Sequence, residues 1–447
     1  MPALTMADGS KGSFQPGWLG NWRSDYQKKL VSAEQAVGAV KSKNLVVLQH
    51  ACGEPRTLVE ALVKRRDIED VRIAHMVAVG PAEYAQPGME RYFRHNAWFV
   101  GTSTRQAVNE GRADFTPVFF HHLPSVLRDT VVDVAMIQVS PPNRWGFCSL
   151  GISVDYTKAA TQAAGIVIAQ VNEVMPKTFG DSFVHVSDID YLVESTRPLL
   201  EMPPAPIGSA EMEIGRQIAS LVEDGATLQL GIGAVPDAVL SCLHDKKDLG
   251  IHTEMFSDSL VALVESGAVT GKAKTLNPGK IVCSFVMGTK KLYGFVDDNP
   301  MIEFRPVDYT NDPLVISRHD RMVSINSALE VDLLGQACAD TIGYTQYSAV
   351  GGQVDFVRGA TRSRGGRAII AMPAAAAGGK VSRIVPFLKE GAAVTTPRND
   401  VQYIVTEYGI ADLHAKTNRE RVQALINIAH PDHRTPLVAW AKKHNLI

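Results

Sequence analysis

One carboxylate interrupts an otherwise apolar stretch of this chain, and it is the first feature that suggests chemistry. Glu254 lies in the segment His-Thr-Glu-Met-Phe-Ser-Asp at positions 252–258. Ser257 and Asp258 are typical of a helix start, so the pattern predicts a strand, the acid and then a helix. Strand-to-helix turns commonly expose catalytic groups, although an acid at a strand end also serves as a cap or an ion-pair partner. Glu254 is therefore a candidate nucleophile.

A glycine-bearing turn precedes this segment. Gly231, Gly233, Val235 and Pro236 follow a predicted strand and open a predicted helix, where free backbone N–H groups favour an anion. A dinucleotide-binding GxGxxG turn requires a third glycine where Pro236 stands, which argues against a nicotinamide site. The turn fits either the stabilisation of an oxyanion or a tight bend that requires glycine for its backbone.

Two later segments offer further contacts for an anionic ligand. Gly351 and Gly352 permit close backbone approach, and four arginines follow at positions 358, 362, 364 and 367. Such a cluster fits either phosphates or a solvated charged face. The stretch 374–383 is rich in alanine and contains Gly378, Gly379, Lys380 and Arg383. It could lie against an extended ligand, and a packed turn explains it nearly as well.

The histidines do not predict a metal site. His121-His122 and the trio His414, His430 and His433 lack a carboxylate or cysteine at a recognised ligand spacing. The chain also lacks the GxSxG, Walker and HExxH motifs. We therefore expect no metal and no permanently bound cofactor.

The bulk properties favour a cytoplasmic enzyme. The formal net charge of the 447 residues is -2, which gives no general attraction for nucleic acid or an anionic membrane. The five cysteines form no CxxC pair, and neither a signal core nor a membrane-spanning run is present. We expect a cytoplasmic protein with reduced thiols that binds neither nucleic acid nor membranes.

Repeated strand and helix patterns predict an α/β fold with two similar open α/β domains. Continuous apolar runs such as 131–137 suit parallel strands that are covered on both faces. Strands are expected near 45–48, 72–79, 97–100, 131–139 and 165–171. The proline cluster within 196–208 suggests a boundary, which gives an N-terminal domain of residues 1-200 and a C-terminal domain of residues 201-447. Residues 1 to about 20 are interpreted as an arm that docks through Trp18 and Trp22.

The two halves resemble each other in sequence. Four short strings recur in the same order, and they are listed as pairs: 46–48 with 227–230, 73–76 with 251–255, 134–140 with 322–328, and 189–194 with 401–407. When Met76 is set against Met255, His75 falls opposite Glu254. The acid therefore belongs to the second half only, as expected of a catalytic group kept by one copy of a duplicated domain.

Taken together, these segments resemble class I coenzyme A-transferases of the acetyl-CoA hydrolase/transferase family, in the 4-hydroxybutyrate (butyrate) CoA-transferase branch. The likeness runs from about residue 23 to the C-terminus. Its most specific strings are Ser140-Pro141-Pro142, Trp145-Gly146-Phe147-Cys148-Ser149-Leu150-Gly151, Gln170-Val171-Asn172, Met175-Pro176, Gly180-Asp181-Ser182, His252-Thr253-Glu254-Met255, Ala328-Leu329-Glu330-Val331-Asp332, Gly335-Gln336, 351–356 and 405–413.

The resemblance implies two domains with the active site between them, and a catalytic glutamate that matches Glu254. In such enzymes the carboxylate attacks an acyl-CoA thioester, and a covalent glutamyl-CoA thioester then carries CoA to a second acid in a ping-pong reaction. The resemblance assigns the oxyanion contacts to Val235, Gly351 and Gly352. The residues it suggests for coenzyme A are Gly231, Gly233, Gly378, Gly379, Lys380 and Arg383, mainly in the second domain.

The expected partners are an acyl-CoA and a short-chain carboxylate such as 4-hydroxybutyrate or butyrate. Hydrolysis of acyl-CoA, transfer to a dicarboxylate such as succinate or itaconate, and CoA binding without turnover remain alternatives. A dicarboxylate would require a second cationic contact in the acyl pocket. Glu330 and Glu407 lie in similar strings but are interpreted as structural. We expect a homodimer or a higher homo-oligomer.

Overall fold

Two twisted sheets dominate the computed structural model of the protein, which describes residues 21–447. The predicted arm with Trp18 lies outside the described residues. In the first half the helices are α1 (Trp22–Lys29), α2 (Ala33–Val37), α3 (Arg56–Leu62), α4 (Arg105–Asn109), α5 (Leu123–Asp129) and α6 (Thr157–Ala163). The strands of this half are β1 (Leu45–Leu48), β2 (Val71–His75), β3 (Phe93–Ala97), β4 (Asp114–Phe115), β5 (Val132–Val139), β6 (Phe147–Ser149), β7 (Ala164–Asn172), β8 (Phe179–Gly180), β9 (Phe183–His185) and β10 (Tyr191–Ser195).

The second half begins with a longer helix and has more short strands. Its helices are α7 (Ser209–Leu221), α8 (Ala234–Ser241), α9 (Asp258–Glu265), α10 (Lys290–Val296), α11 (Val307–Thr310), α12 (Pro313–Ser317), α13 (Gln353–Arg362), α14 (Asn418–Ile428) and α15 (Pro431–Lys443). Its strands are β11 (Thr227–Leu230), β12 (Gly250–His252), β13 (Met255–Phe256), β14 (Ile281–Cys283), β15 (Phe285–Val286), β16 (Ile302–Phe304), β17 (Met322–Ser327), β18 (Glu330–Asp332), β19 (Ala337–Cys338), β20 (Thr341–Ile342), β21 (Thr345–Gln346), β22 (Arg367–Ala371), β23 (Ala375–Ala376), β24 (Val381–Ser382), β25 (Ile384–Val385), β26 (Tyr403–Thr406) and β27 (Gly409–Asp412).

The strand orders of the two sheets confirm the internal repeat. The first sheet runs β10-β7-β5-β1-β2-β3-β4 and is parallel throughout. The second runs β27-β26-β22-β17-β11-β12-β14-β16-β8, and its seven strands from β26 to β16 follow the same order. All four pairs of matching strings fall on equivalent strands. The α/β fold with two similar parallel sheets is thus confirmed.

The burial of the strands explains why the apolar runs predicted them. All four residues of β1 are buried, as are seven of the eight in β5, because helices cover both faces of a parallel sheet. The strand expected near 97–100 is wrong by several residues, since β3 covers Phe93–Ala97 and buries only alternate side chains. The apolar residues after Ala97 lie in the turn that follows β3.

A linker joins the two sheets. Residues 196–208 form neither helix nor strand, as the proline cluster predicted. This segment is anchored, because the Met202 N–H donates to Gly288 O (2.9 Å) and the Tyr293 hydroxyl donates to Leu200 O (2.6 Å). One strand from the first half, β8, pairs with β16 and extends the second sheet. The division into residues 1-200 and 201-447 stays a prediction.

Candidate functional site

Glu254 lies in a turn that three strands hold in place. β12 ends at His252 and β13 begins at Met255, so the acid follows a buried strand as predicted. The Thr253 hydroxyl donates to Leu230 O at the end of β11 (3.0 Å), and the Ser284 N–H donates to the Glu254 carbonyl (2.8 Å). Ser257 occupies the cap position of α9, but its hydroxyl donates to Asp237 instead of capping the helix. The backbone of the turn is fixed while the carboxyl group points away from it.

The carboxyl group meets two donors from distant segments. The side-chain amide of Asn311, between α11 and α12, donates to Oε2 of Glu254 (2.7 Å). The backbone N–H of Gly352 at the start of α13 interacts with the same carboxyl group. A Cβ atom added to Gly352 would overlap Oε2 of Glu254 and Nδ2 of Asn311, so the absence of a side chain at Gly352 permits this close approach.

Burial makes the Glu254 carboxyl a weak acid. Removal from water is the largest effect and raises its pKa to about 8. Asp355 and Asp155 act in the same direction by charge repulsion, whereas the donors on Asn311 and Gly352 oppose the increase. A carboxylate with a raised pKa is a stronger base and nucleophile once it ionises, as expected of a group that attacks a carbonyl carbon.

Contacts between the halves fix the Gly351–Gly352 turn. The N–H of Phe120 donates to Gly351 O (3.4 Å), and Nδ1 of His121 hydrogen-bonds Oδ1 of Asp355 in α13 (2.7 Å). Burial raises the pKa of the Asp355 carboxyl, and His121 opposes this effect. The first half therefore positions the segment of the second half that faces Glu254.

Glu254 opens into a cleft between the halves. A cavity of about 620 Å³ is lined mainly by apolar side chains of both halves. Its lining residues are His50, Met76, Val77, Ala78, Val79, Phe99, Val100, Gly101, Thr102, Ser103, Arg105, Met202, Gly231, Ile232, Glu254, Met255, Phe285, Met287, Tyr347 and Ser348. An adjoining cavity of about 220 Å³ also contains Glu254 and is lined in addition by Gly351, Gly352 and Gln353. A small acyl chain and the reacting end of a longer ligand can meet the carboxyl group here.

Comparison with known proteins identifies the family. Residues 19–201 match the model of the acetyl-CoA hydrolase/transferase N-terminal domain, and residues 288–441 match that of the acetyl-CoA hydrolase/transferase C-terminal domain. The chain belongs to the acetyl-CoA hydrolase/transferase family.

Relatives place this family member among the CoA-transferases. It is 59% identical to the 4-hydroxybutyrate coenzyme A transferase of Clostridium kluyveri, over 94% of this chain and 99% of the relative. It is 45% identical to a succinyl-CoA:acetate/propanoyl-CoA:succinate CoA transferase of Fasciola hepatica, over 96% and 90% of the two chains. The crystal structure of 4-hydroxybutyrate CoA-transferase from Porphyromonas gingivalis superposes with a TM-score of 0.83 at 42% identity, covering 95% of this chain and all of that one.

Three of the glycines predicted for the site of this CoA-transferase lie beside Glu254. Gly231, Gly351 and Gly352 line its cavities. Gly233 has a φ of +110° at the N-cap of α8, which only glycine adopts readily, and Val235 is buried in the first turn of that helix. The oxyanion role expected for Val235 stays a prediction.

The predicted coenzyme A residues 378–383 lie outside the linings of the two Glu254 cavities. Gly378, Gly379 and Lys380 form the turn between β23 and β24, and Arg383 follows β24. Nε2 of His433 in α15 hydrogen-bonds Gly379 O (2.8 Å), which fixes this turn to the C-terminal helices. A role for these residues in binding the distal part of coenzyme A stays a prediction.

The rival acids and most of the arginine cluster have structural partners. Glu330 accepts from the Lys389 N–H (2.9 Å), and Glu407 accepts from the Ala374 N–H (2.8 Å). Three of the four clustered arginines are ion-paired: Arg358 with Asp400, Arg364 with Asp320 and Arg367 with Glu223. The cluster is thus engaged with neighbouring carboxylates, as the solvated-face interpretation expects.

Several polar residues near Glu254 escaped the sequence interpretation. Asn311 lies in the loop between the short helices α11 and α12, and it belongs to no sequence motif that would indicate a functional residue. Nδ1 of His50 in the cleft hydrogen-bonds Oδ2 of Asp155 (3.2 Å), and the buried Nε2 of His50 has no partner among the described residues. From the sequence, His121 is considered only as half of a histidine pair that could bind a metal, whereas in the structure Nδ1 of His121 hydrogen-bonds Asp355.

The helices of residues 21–447 include none with the length and apolar composition of a membrane span.

Proposed function

We propose that this CoA-transferase moves coenzyme A between an acyl-CoA and a short-chain carboxylic acid through a covalent glutamyl-CoA thioester on Glu254. The observation that supports this proposal is the half-buried Glu254 carboxyl, which meets donors from Asn311 and Gly352 and opens into an apolar cleft. Such a group suits attack on a carbonyl carbon whose oxygen gains negative charge.

The first half-reaction begins when the ionised carboxylate oxygen of Glu254 attacks the thioester carbonyl carbon. The tetrahedral intermediate collapses, the carbon–sulfur bond breaks and CoA leaves as a thiolate, which gives a mixed anhydride of the acyl group and Glu254. The thiolate then attacks the glutamyl carbonyl carbon, and the acyl group departs as a free carboxylate. The product is the glutamyl-CoA thioester, and no proton or cofactor is consumed.

The second half-reaction reverses these steps with the acceptor acid. Its carboxylate attacks the glutamyl thioester, thiolate is expelled, and thiolate attack on the acceptor carbonyl regenerates Glu254. Each addition places negative charge on a carbonyl oxygen. The N–H of Gly352 and the amide of Asn311 are preorganised donors beside the carboxyl group and suit this task.

The named relatives support short-chain acids as substrates. Their printed activities involve 4-hydroxybutyrate, succinyl-CoA, acetate and propanoyl-CoA, and another relative from Anaerostipes caccae is named butyryl-CoA:acetate CoA-transferase. We propose 4-hydroxybutyrate-like or butyrate-like acids for this protein, because the cleft is mainly apolar and of modest volume. A cytoplasmic location and a homodimer stay predictions.

One assay separates transfer from its alternatives. Butyryl-CoA is incubated with the protein in the presence and absence of acetate, and acetyl-CoA and free CoA are measured by chromatography. The proposal expects acetyl-CoA to form only when acetate is present, with little free CoA. Release of free CoA at the same rate with or without acetate would indicate a hydrolase, and no change in butyryl-CoA would indicate CoA binding without turnover. A Glu254→Gln variant is the matched control and is expected to be inactive.

A further inference from the structure

The cleft that contains Glu254 has one strongly basic residue in its lining. Among the described residues that line the 620 Å³ cavity, Arg105 at the start of α4 is the sole lysine or arginine. The neighbouring walls are apolar, with Met76, Val77, Val79 and Phe99 among them. The Arg105 side chain is half-buried at this wall, so a ligand that covers it removes the guanidinium from water, which is costly unless the ligand offers an oxygen.

Contacts with Tyr347 fix the plane of the Arg105 guanidinium. Nε of Arg105 donates to Tyr347 O (2.8 Å), and Cζ lies 3.9 Å from the centroid of the Tyr347 ring. Both contacts cross between the halves of the molecule. A stacked guanidinium whose Nε is occupied presents its two terminal nitrogens in a fixed direction.

Those two terminal nitrogens lack a protein partner. Neither Nη atom of Arg105 donates to an acceptor in residues 21–447, and no carboxylate of that part of the chain lies within ion-pair distance. The two arginines nearest to Arg105 in sequence differ in this respect, since Arg94 pairs with Asp114 and Arg112 pairs with Glu110. The Nη donors of Arg105 are therefore available to a ligand that enters the cleft.

The helix that carries Arg105 is itself anchored. At its C-terminal end, Nδ2 of Asn109 donates to Gln346 O (2.9 Å) and the Gln346 N–H donates to Oδ1 of Asn109 (2.9 Å). Because both ends of α4 are tied to the segment 346–347, Arg105 is held over the cleft. This arrangement suits recognition of a ligand better than a flexible surface charge would.

We propose that Arg105 binds an oxygen at the far end of the acid substrate, so that this site favours short acids bearing a terminal hydroxyl or carboxylate over purely alkyl acids. This inference rests on the proposed function, because it concerns the acid that reacts at Glu254. The apolar wall accommodates the methylene chain. The Nη donors are satisfied when the chain carries an oxygen and are left unsatisfied when it ends in a methyl group.

Acids with a terminal carboxylate and acids with a terminal hydroxyl differ in how strongly Arg105 can bind them. A terminal carboxylate can accept both Nη donors as a charged, two-bond contact, whereas a hydroxyl accepts one. Loss of the guanidinium is therefore expected to harm a dicarboxylate most, a hydroxy acid less and an alkyl acid least. That order would not follow from a general disturbance of the cleft.

The test uses the full-length enzyme with three acceptor acids: butyrate, 4-hydroxybutyrate and succinate. For Arg105→Met, the ratio of kcat/KM for 4-hydroxybutyrate to that for butyrate is expected to fall about tenfold, and the ratio for succinate to butyrate is expected to fall further. Arg105→Lys keeps the positive charge but lacks the two parallel N–H donors of a guanidinium. It should therefore partly restore the ratio of kcat/KM for succinate to that for butyrate. Gln106→Ala is the matched control, because Gln106 lies on the exposed side of α4, its amide contacts only Glu110, and it does not line the cleft, so both ratios should be unchanged.

Two outcomes would overturn the inference. If the kcat/KM ratios of Arg105→Met equal those of the wild-type enzyme, the guanidinium does not discriminate between the acceptor acids. An equal loss with all three acids, accompanied by a higher KM for acyl-CoA, would assign Arg105 to coenzyme A instead. Both outcomes are distinguishable from failure of the proposed function, because that failure appears in the wild-type enzyme as absent transfer to every acid.

Discussion

The side-chain amide of Asn311 donates a 2.7 Å hydrogen bond to Oε2 of Glu254, although 57 residues separate them in sequence. The contact ties the loop between α11 and α12 to the turn that follows β12. Asn311 is itself buried, and its Oδ1 has no partner among the described residues. An amide held in this way suits the selective stabilisation of an ionised or reacting carboxyl group.

Replacing Asn311 should change the ionisation of Glu254. Because the Asn311 donor lowers the pKa of Glu254, Asn311→Ala is expected to raise that pKa further and to reduce kcat about 10- to 100-fold. Asn311→Asp should be more harmful, since it places a second carboxyl beside the first. The measurement is the pH dependence of kcat/KM for transfer. An Asn311→Ala profile that coincides with the wild-type profile would contradict this account.

The wild-type enzyme should become more active as the pH rises toward 8. The proposed attack requires the ionised carboxylate, and burial raises the pKa of Glu254 to about 8. Transfer from butyryl-CoA to acetate is therefore expected to increase between pH 6 and 8 and to level off above that range. The profile should be measured for kcat/KM, which reports ionisation in the free enzyme. A rate that is constant from pH 5 upward would mean that the free carboxyl is already ionised.

Glu254 is expected to reduce the stability of the fold. Its folded pKa lies above the value of 4.5 for an unperturbed glutamate, so the folded protein loses stability as the pH rises from about 4.5 to 8. Glu254→Gln removes the ionisation and should be more stable than wild type at pH 7 to 8, with a smaller difference near pH 4.5. Thermal or denaturant unfolding at several pH values tests this. Equal free energies of unfolding at all pH values would show that ionisation of the Glu254 carboxyl does not destabilise the fold.

Gly352 is expected to tolerate no side chain. In Gly352→Ala the new Cβ would overlap the Glu254 carboxyl and the Asn311 amide, so transfer should fall at least about 100-fold. Gly294→Ala is the matched control, because a Cβ there meets no atom within 4 Å and lies in α10. Alanine in a helix is slightly stabilising relative to glycine, so the control should unfold at the same or a higher temperature. Near-normal transfer by a folded Gly352→Ala variant would argue against a role for this turn.

Much of the fold was predictable because buried parallel strands have a simple signature. The apolar runs at 45–48 and 131–139 became β1 and β5, and the recurrence of four strings anticipated the shared strand order of the two sheets. β3 was misplaced because only alternate residues of Phe93–Ala97 are buried. β8, a strand of two residues that joins the other half's sheet, has no periodicity to detect.

The site was predictable only in part. Glu254 and the glycine turns stand out because acids are rare in apolar segments and glycine permits close approach. Asn311 and the His121–Asp355 contact depend on long-range folding, since 234 residues separate the latter pair. The raised pKa of Glu254 likewise depends on burial and on Asp355 and Asp155, which no local sequence pattern reveals.

The central claim is that Glu254 carries coenzyme A covalently during turnover. The direct measurement is to incubate the enzyme with acyl-CoA but no acceptor acid, reduce with borohydride, and map the modified residue by peptide mass spectrometry. A glutamyl thioester is reduced to the alcohol, so the account predicts conversion of Glu254 alone, dependent on acyl-CoA and absent from Glu254→Ala. An unmodified Glu254 in enzyme that still transfers CoA, or full transfer by Glu254→Ala, would contradict it.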